Sequence, residues 1–517
     1  MKEMNFPNQF VRWIMIMVRG VSYRYLINGQ VSKILQAKRG LRQGDPISPL
    51  LFTLVMEYLH RHLGTLKQND EFKFHPRCAK LGITNICFAD DLLLFASGDV
   101  KSIRHMMDKF HQFSEATGLR ANPTKCKIYF GGLNDQRQQE CANTTSFGIG
   151  KLPFRYLGVP LSTKKLTINQ CQPIIDRMLE KIQHWSASML SYAGRKQLVK
   201  STLMSIAGYW MQAFPLPKKI IQRIEVICKN FLWSGKAVGR KALVAWDKIC
   251  MPINAGGLNM TYLSDWNKAT ILKLLWNLHM KSDKLWIRWI GAYYLKGEDI
   301  MQWEPKTTSS WMLKSIVKAR EITIQSDYWK DSTQQHHFNT NAMYKELRGI
   351  YTNQSWRKIM LQNFARPRAC FILWLAILNR LPTKDRLRKI NIQTDGLCSF
   401  CDQTENIEHL FFHYRFTSQI WMQIMAWIGY NRGCKSWEEE KQWLSTETAK
   451  KGWKRCLLRL AIAEVVYHVW QLRNEKIFGR NQFTGDIIMK IKHMICLRAY
   501  SKKALRNHVN LETMAVS

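Results

Sequence analysis

The sequence is poor in acid. Only 38 Asp and Glu stand against 77 Lys and Arg in 517 residues, a formal charge of +39. That deficit argues against an ordinary enzyme of small metabolites and for a polyanionic partner, most simply nucleic acid. Glycine and proline are also scarce, 28 and 14 residues, together well below the ~12% of average usage, which excludes long flexible linkers and Gly-rich or collagen-like repeats. Long apolar runs are missing too. The longest, Ala369 to Leu378, falls far short of the ~20 residues of a membrane span, and the opening MKEMNFPNQF has no apolar signal-peptide core. Paired cysteines are not evident either: the 13 are odd in number, and Cys126, Cys228, Cys250 and Cys370 sit singly inside apolar patterns. They read as buried reduced thiols of an intracellular protein, nuclear or cytoplasmic.

Apolar residues are plentiful, 46% with 12% aromatic. That excludes a disordered basic tail, and the length suggests about three domains. The charge is clustered: residues 161–250 carry +11 and residues 351–390 carry +8. Two such belts favour phosphate contacts over a uniform solubility device. Most of the 20 Trp fall at helical spacings, such as Trp276, Trp286 and Trp289, and read as core before they read as base-stacking platforms.

Periodicity predicts a helix over Phe10–Val18, a strand over Ser22–Ile27, a turn-rich stretch over Gly40–Pro49 and a helix over Leu50–Leu63. The apolar runs Ile86–Phe88 and Leu92–Phe95 flank Asp90-Asp91 and read as a β-hairpin with an acidic tip. An amphipathic helix over 101–117 and a strand over Lys127–Phe130 follow. Residues 165–250 read as basic helices, with Met178, Ile182, Trp185, Met189 and Leu190 on one face. Residues 251–340 resemble a Trp-rich helical connector, and helices are predicted over 453–476 and 486–506.

Adjacent carboxylates between buried strands repel and are costly to desolvate, and a divalent metal offsets that cost. A solvated hairpin turn is the alternative. The neighbours weigh on the choice. Gly40-Leu41-Arg42-Gln43-Gly44-Asp45-Pro46-Ile47-Ser48-Pro49-Leu50-Leu51-Phe52, then Phe88-Ala89-Asp90-Asp91, resembles motifs B and C of the reverse transcriptase of non-LTR (LINE-type) retrotransposons. Gly118–Lys125 resembles its motif D region and Phe154–Leu161 its primer-grip segment. Group II intron enzymes share Ser-Pro-Leu-Leu, but Arg-Gln-Gly-Asp-Pro favours the LINE branch and its plant members.

The resemblance implies that Asp90 and Asp91 are catalytic carboxylates for Mg²⁺ in two-metal nucleotidyl transfer, with Asp90 the direct ligand of both ions. It implies that Lys125 lies near the pyrophosphate. Arg42, Gln43 and Gly44 would lie beside template and incoming nucleotide, and Tyr156, Leu157 and Gly158 would position the primer end. RNA template and DNA primer are the implied partners; an element-encoded partner and the oligomeric state stay open. The family's motif A, a Lys-Ala-Phe-Asp-like strand with the third metal-binding Asp, has no counterpart. Met4-Asn5-Phe6-Pro7 matches the segment downstream of it, so the chain reads as N-terminally truncated and inactive by itself.

Cys398, Cys401, His409 and His413 spell C-x₂-C-x₇-H-x₃-H, spacings that suit a tetrahedral Zn²⁺ site of structural type. Two thiols and solvated histidines thrown together by chance are the alternative. Arg366–Thr383 and the run Cys398 to Phe412 resemble the zinc-binding reverse transcriptase domain of plant elements. That family has Cys where Tyr414 stands here, so His413 is expected as the substitute fourth ligand, with a three-coordinate or non-binding site as the alternatives.

The expected fold is α+β: a partial right-hand palm over 1–162, a basic helical thumb/connector over 163–340, a zinc-binding domain over 341–430 and a basic helical extension over 431–517. The competing functional class is a non-catalytic nucleic-acid-binding relic of a retroelement.

Overall fold

A computed structural model describes residues 1–38, 40–162, 164–185, 190–239, 242–479 and 486–506. Met189, and the part of the expected C-terminal extension beyond 506, lie outside the described residues. The chain divides into two compact units. One is residues 1–163 with 283–298; the other is 164–282 with 299–517. No described helix is long and apolar enough to cross a membrane.

The first unit is mixed α and β. Its strands pair only two by two among the described residues. The expected strand over Ser22–Ile27 is split. Ser22–Tyr23 pairs with Leu35–Gln36, and Leu26–Ile27 pairs with Gln30–Val31. Asn28-Gly29 makes the difference, both with positive φ, the turn that closes a two-residue hairpin.

Helix Ser48–Gly64 starts with Pro49 in its first turn, where the missing N–H is no loss. Helix Val100–Thr117 is capped by Asp99, which accepts from Ser102 N at 2.8 Å, and stopped by Gly118 at φ 75°. Leu59, Leu63, Leu66, Phe72, Met106 and Phe113 form the core between these helices, and Leu92 and Leu94 pack against it. Strand alternation thus turns Leu92 and Leu94 inward while the far end of the hairpin projects away.

Residues 283–298 of the expected connector pack with this first unit. Trp289 donates its indole N–H to Arg77 O at 2.6 Å, and Tyr293 Oη accepts from Lys80 N at 2.9 Å. The Lys80 ammonium also lies 5.3 Å over the Tyr293 ring. Trp289 is therefore a packing residue here, as the blander reading of the tryptophans holds.

The second unit is helical. Met178 and Ile182 are buried on helix Gln172–His184, and the Trp185 ring lies 5.3 Å from Phe231. Helix Trp453–Ile477 is its spine, buried on most of its circumference from Leu457 to Arg473. It packs against Pro367–Ile377, Arg415–Trp427 and Ile487–Tyr500. On that spine Glu464 is fully buried and bound by Arg366.

Candidate catalytic hairpin and metal centre

Asn85–Phe88 and Asp91–Leu94 form the antiparallel hairpin, with Phe88 opposite Asp91. Ala89 turns the chain at φ 51°, a left-handed conformation uncommon for a residue with a Cβ and often kept at functional sites. Asp90 and Asp91 are both exposed, and Phe88 beside them is 61% exposed. This corrects the desolvation argument. Water solvates both carboxylates, so burial does not itself demand a metal. What the tip offers is two adjacent hard-oxygen donors open to solvent. That set suits Mg²⁺, which is commonly held by one or two carboxylates with waters and substrate phosphates. No third carboxylate, Cys or His joins them in a compact donor group among the described residues.

The second hairpin, Phe154–Tyr156 with Val159–Leu161, closes through Leu157-Gly158, both at positive φ. Its Tyr156 lies beside the acidic one. Burial first, then the charge of Asp91 and Cys87, pushes the Tyr156 phenol up, and its hydroxyl is buried without a hydrogen-bond partner. Cys87 lies under the tip, its thiol donating to Ala89 O at 3.2 Å and pushed up by burial and by Asp90 and Asp91. Sequence reading missed Cys87; its alternation within Ile86–Phe88 is the only signal for it.

The remaining predicted residues stand on turns. Arg42 and Asp45 pair at 3.7 Å, and Ser48 Oγ donates to Arg42 O at 2.8 Å. Gln43 and Gly44 are exposed, and Gly44 adopts φ 98°, so glycine serves the turn itself. Lys125 is exposed on a turn organised by Asn122, whose Oδ1 accepts from Thr124 N at 3.0 Å. No hydrogen bond or ion pair ties Gln43, Gly44 or Lys125 to the acidic tip among the described residues.

In the second unit Cys398, Cys401 and His409 converge, their donor atoms all within 4.8 Å of one another. Cys401 Sγ and His409 Nε2 are 3.1 Å apart. The turn is built by Cys398 N donating to Gln403 O at 2.6 Å and by a bridge between Leu397 and Thr404. His409 N is held by Asn406 Oδ1 at 2.7 Å. Burial lowers the pKa of His409, with His413 adding to the effect. A neutral imidazole and two cysteines, which bind as thiolates, are donors that suit zinc.

His413 stands outside the cluster. It ends a single wide helical turn, His409–His413, is exposed, and lies 3.6 Å from Glu408. Tyr414 is the nearer side chain: it stacks on Phe400 at 5.3 Å, and burial, Cys401 and Cys398 push its phenol up.

Glu405 lies in the turn between Cys401 and His409. It is fully buried, accepts from Lys384 N at 2.8 Å, and is paired with Arg473 of the spine helix.

Residues 1–161 match the family described as reverse transcriptase (RNA-dependent DNA polymerase). Residues 338–421 match the family described as zinc-binding in reverse transcriptase. A putative ribonuclease H protein of Arabidopsis thaliana is 31% identical over 175 residues, 33% of this chain and 28% of that protein. A retrovirus-related Pol polyprotein from a type-2 retrotransposable element of Drosophila melanogaster is 32% identical over 183 residues, 32% of this chain and 16% of the polyprotein. A transposon TX1 protein of Xenopus laevis is 25% identical over 242 residues, 45% of this chain and 18% of that protein. The chain thus spans less than a third of these relatives. The acidic hairpin thus lies within a stretch similar to reverse transcriptases, and the Cys/His cluster within one similar to their zinc-binding domain. More narrowly, two of the named relatives, those of Drosophila and Xenopus, are proteins of transposable elements.

Proposed function

We propose that this chain binds an RNA template and a DNA primer as the palm and zinc-binding portion of a plant LINE-type reverse transcriptase, and that alone it does not extend the primer. The observation that carries the reading is the acidic hairpin tip with Tyr156 beside it, inside the reverse-transcriptase match. The 31% identity to the Arabidopsis protein supports the plant branch.

In this reading Asp90 and Asp91 hold magnesium at the primer 3′ end, and Lys125 hydrogen-bonds the leaving pyrophosphate. Arg42, Gln43 and Gly44 lie along template and nucleotide, while Tyr156, Leu157 and Gly158 orient the primer. Magnesium, when bound, supplies positive charge for the attacking and leaving oxygens. Residues 163–340 serve as thumb and connector. Cys398, Cys401 and His409 hold a structural zinc that stiffens the 341–430 domain, and the helices after 430 add basic surface.

Catalysis is separated from binding because the tip has two carboxylates and no third donor among the described residues. The second reading, a non-catalytic nucleic-acid-binding relic, rests on the same observation. Primer extension on an RNA template with dNTPs and Mg²⁺ tests both. The expected result is salt-sensitive binding of template–primer with no extension. Robust extension that vanishes in Asp90→Ala overturns the claim of inactivity, and absence of binding overturns the whole reading.

A further inference from the structure

The second unit contains a cavity of about 360 Å³ in residues 165–322, outside both stretches matched by the reverse-transcriptase families. Its volume lies within the ~300–1,000 Å³ of small-ligand pockets. Its walls are apolar, from Pro215, Ile322 and neighbouring side chains, with Trp311 among them. Lysines reach it from three separate elements: Lys165 from a loop, Lys218 at the start of helix Lys218–Ser234, and Lys318 at the end of helix Trp311–Lys318.

Charge and hydrogen bonding in this cavity are unbalanced. Lys165, Lys218 and Lys318 are exposed and have no carboxylate partner among the described residues. A fourth lysine, Lys268, is paired with Asp265 at 3.0 Å and adds less. Glu321 is the one acid in the lining. The indole N–H of Trp311 has no acceptor among the described residues and is not among the buried orphans. Three unneutralised cations around an aromatic, apolar recess match a ligand with a flat face and an adjoining anion. A folded protein gains nothing from holding like charges together there, since they repel.

We propose that this cavity takes one nucleotide of a single-stranded nucleic acid, its base against Trp311 and its flanking phosphates against Lys165, Lys218 and Lys318. Stacking on an aromatic side chain is tolerant of sequence, and lysines follow a backbone as point charges. The basic belt of residues 161–250 provides the continuation of the strand's path. The inference rests on the reading of the chain as a nucleic-acid binder, and adds a single-strand site remote in sequence from the acidic tip.

The test uses the full chain and a fluorescein-labelled 20-nucleotide oligo(U), read by fluorescence polarisation across a salt series. Lys165→Gln/Lys218→Gln/Lys318→Gln is expected to weaken binding about tenfold or more. It should also flatten the log K against log[salt] slope by about 2, from ~0.7 per lost phosphate contact. Trp311→Leu should weaken single-strand binding about fivefold or more and spare an RNA duplex of the same length, with Trp311→Phe restoring most of it. A 4-thiouridine oligomer should photo-crosslink to the peptide containing Trp311. An unchanged affinity in the triple-lysine variant overturns the proposal, as does equal loss of duplex and single strand in Trp311→Leu. Free uridine monophosphate that displaces the oligomer at equal concentration assigns the cavity to a free nucleotide and overturns the strand claim; displacement only at great excess supports it. A wild-type chain that binds no oligomer overturns the functional reading itself, whereas wild-type binding with unaffected variants overturns this site alone.

Discussion

Arg473 closes on Glu405 with two hydrogen bonds, Nε to Oε2 at 3.1 Å and Nη2 to Oε1 at 2.6 Å, across 68 residues of sequence. Glu405 sits in the turn between Cys401 and His409; Arg473 sits on the spine helix. The pair fastens the Cys/His turn to the core of the second unit. Breaking a buried pair from one side strands a charge, so Arg473→Met should cost about 3–5 kcal/mol in urea unfolding. Glu405→Gln/Arg473→Met should recover a substantial part of that loss. A single variant as stable as the parent would show that the pair holds nothing in place.

Zinc content distinguishes the converging residues from the one set apart. The purified chain should carry close to one zinc by atomic emission. Cys398→Ser, Cys401→Ser and His409→Ala should each lose most of it. His413→Ala should keep it, since that ring faces Glu408. Tyr414→Cys should slow release to a chromogenic chelator, because a third thiolate would lie beside the other donors. Loss of zinc in His413→Ala would contradict the described geometry.

The buried His468 gives a pH signature. Burial first, then the Arg366 cation, holds its pKa down to about 3. Arg366 can only donate, so His468 Nε2 accepts at 2.9 Å and the ring is neutral. The unfolded chain binds this proton near pH 6.5 and the folded chain does not. Its contribution is therefore fully favourable above ~6.5 and is lost as the pH falls from there toward 3. Between pH 7 and pH 5 that amounts to about 2 kcal/mol. Urea unfolding at the two pH values should show the wild type losing more stability than His468→Leu by about that amount; parallel losses would refute it.

Gly150 joins backbone to the primer-side hairpin. A Cβ there would lie 2.3 Å from the Tyr129 ring, and Tyr129 stacks on Phe154 at 4.4 Å. Gly150→Ala should therefore push Tyr129 aside and cost about 1–3 kcal/mol by overpacking. The thermal midpoint should fall, and template–primer affinity should fall with it if the hairpin holds the primer. An unchanged midpoint would mean that Tyr129 has room to move.

Much of this was legible in the sequence where pattern is local. The acidic hairpin followed from two apolar runs around Asp90-Asp91, and the Cys/His turn from its spacing. What was not legible depends on the third dimension. Exposure of Asp90 and Asp91 is set by the distance of the tip from the Leu92 and Leu94 contacts, which alternation does not report. The burial of Glu405 is not readable locally because its cation lies 68 residues away. His413 looked like a ligand by helical spacing, but the turn ends there and the ring swings to Glu408. The strand over Ser22–Ile27 failed for a local reason that was readable: Asn28-Gly29 is a hairpin turn, and it divides the pairing.

The docking of Trp289 and Tyr293 on Arg77 and Lys80 has a bearing on how the protein is made. The ribosome delivers residues 1–163 first, yet the unit they form includes residues 283–298. At ~5–20 residues per second the missing piece arrives roughly six to thirty seconds later. Through that interval the surface around Arg77 and Lys80 is uncovered on the nascent chain, while residues 164–282 of the other unit are being synthesised in between. Residues 1–163 therefore leave the ribosome before their unit is able to finish folding.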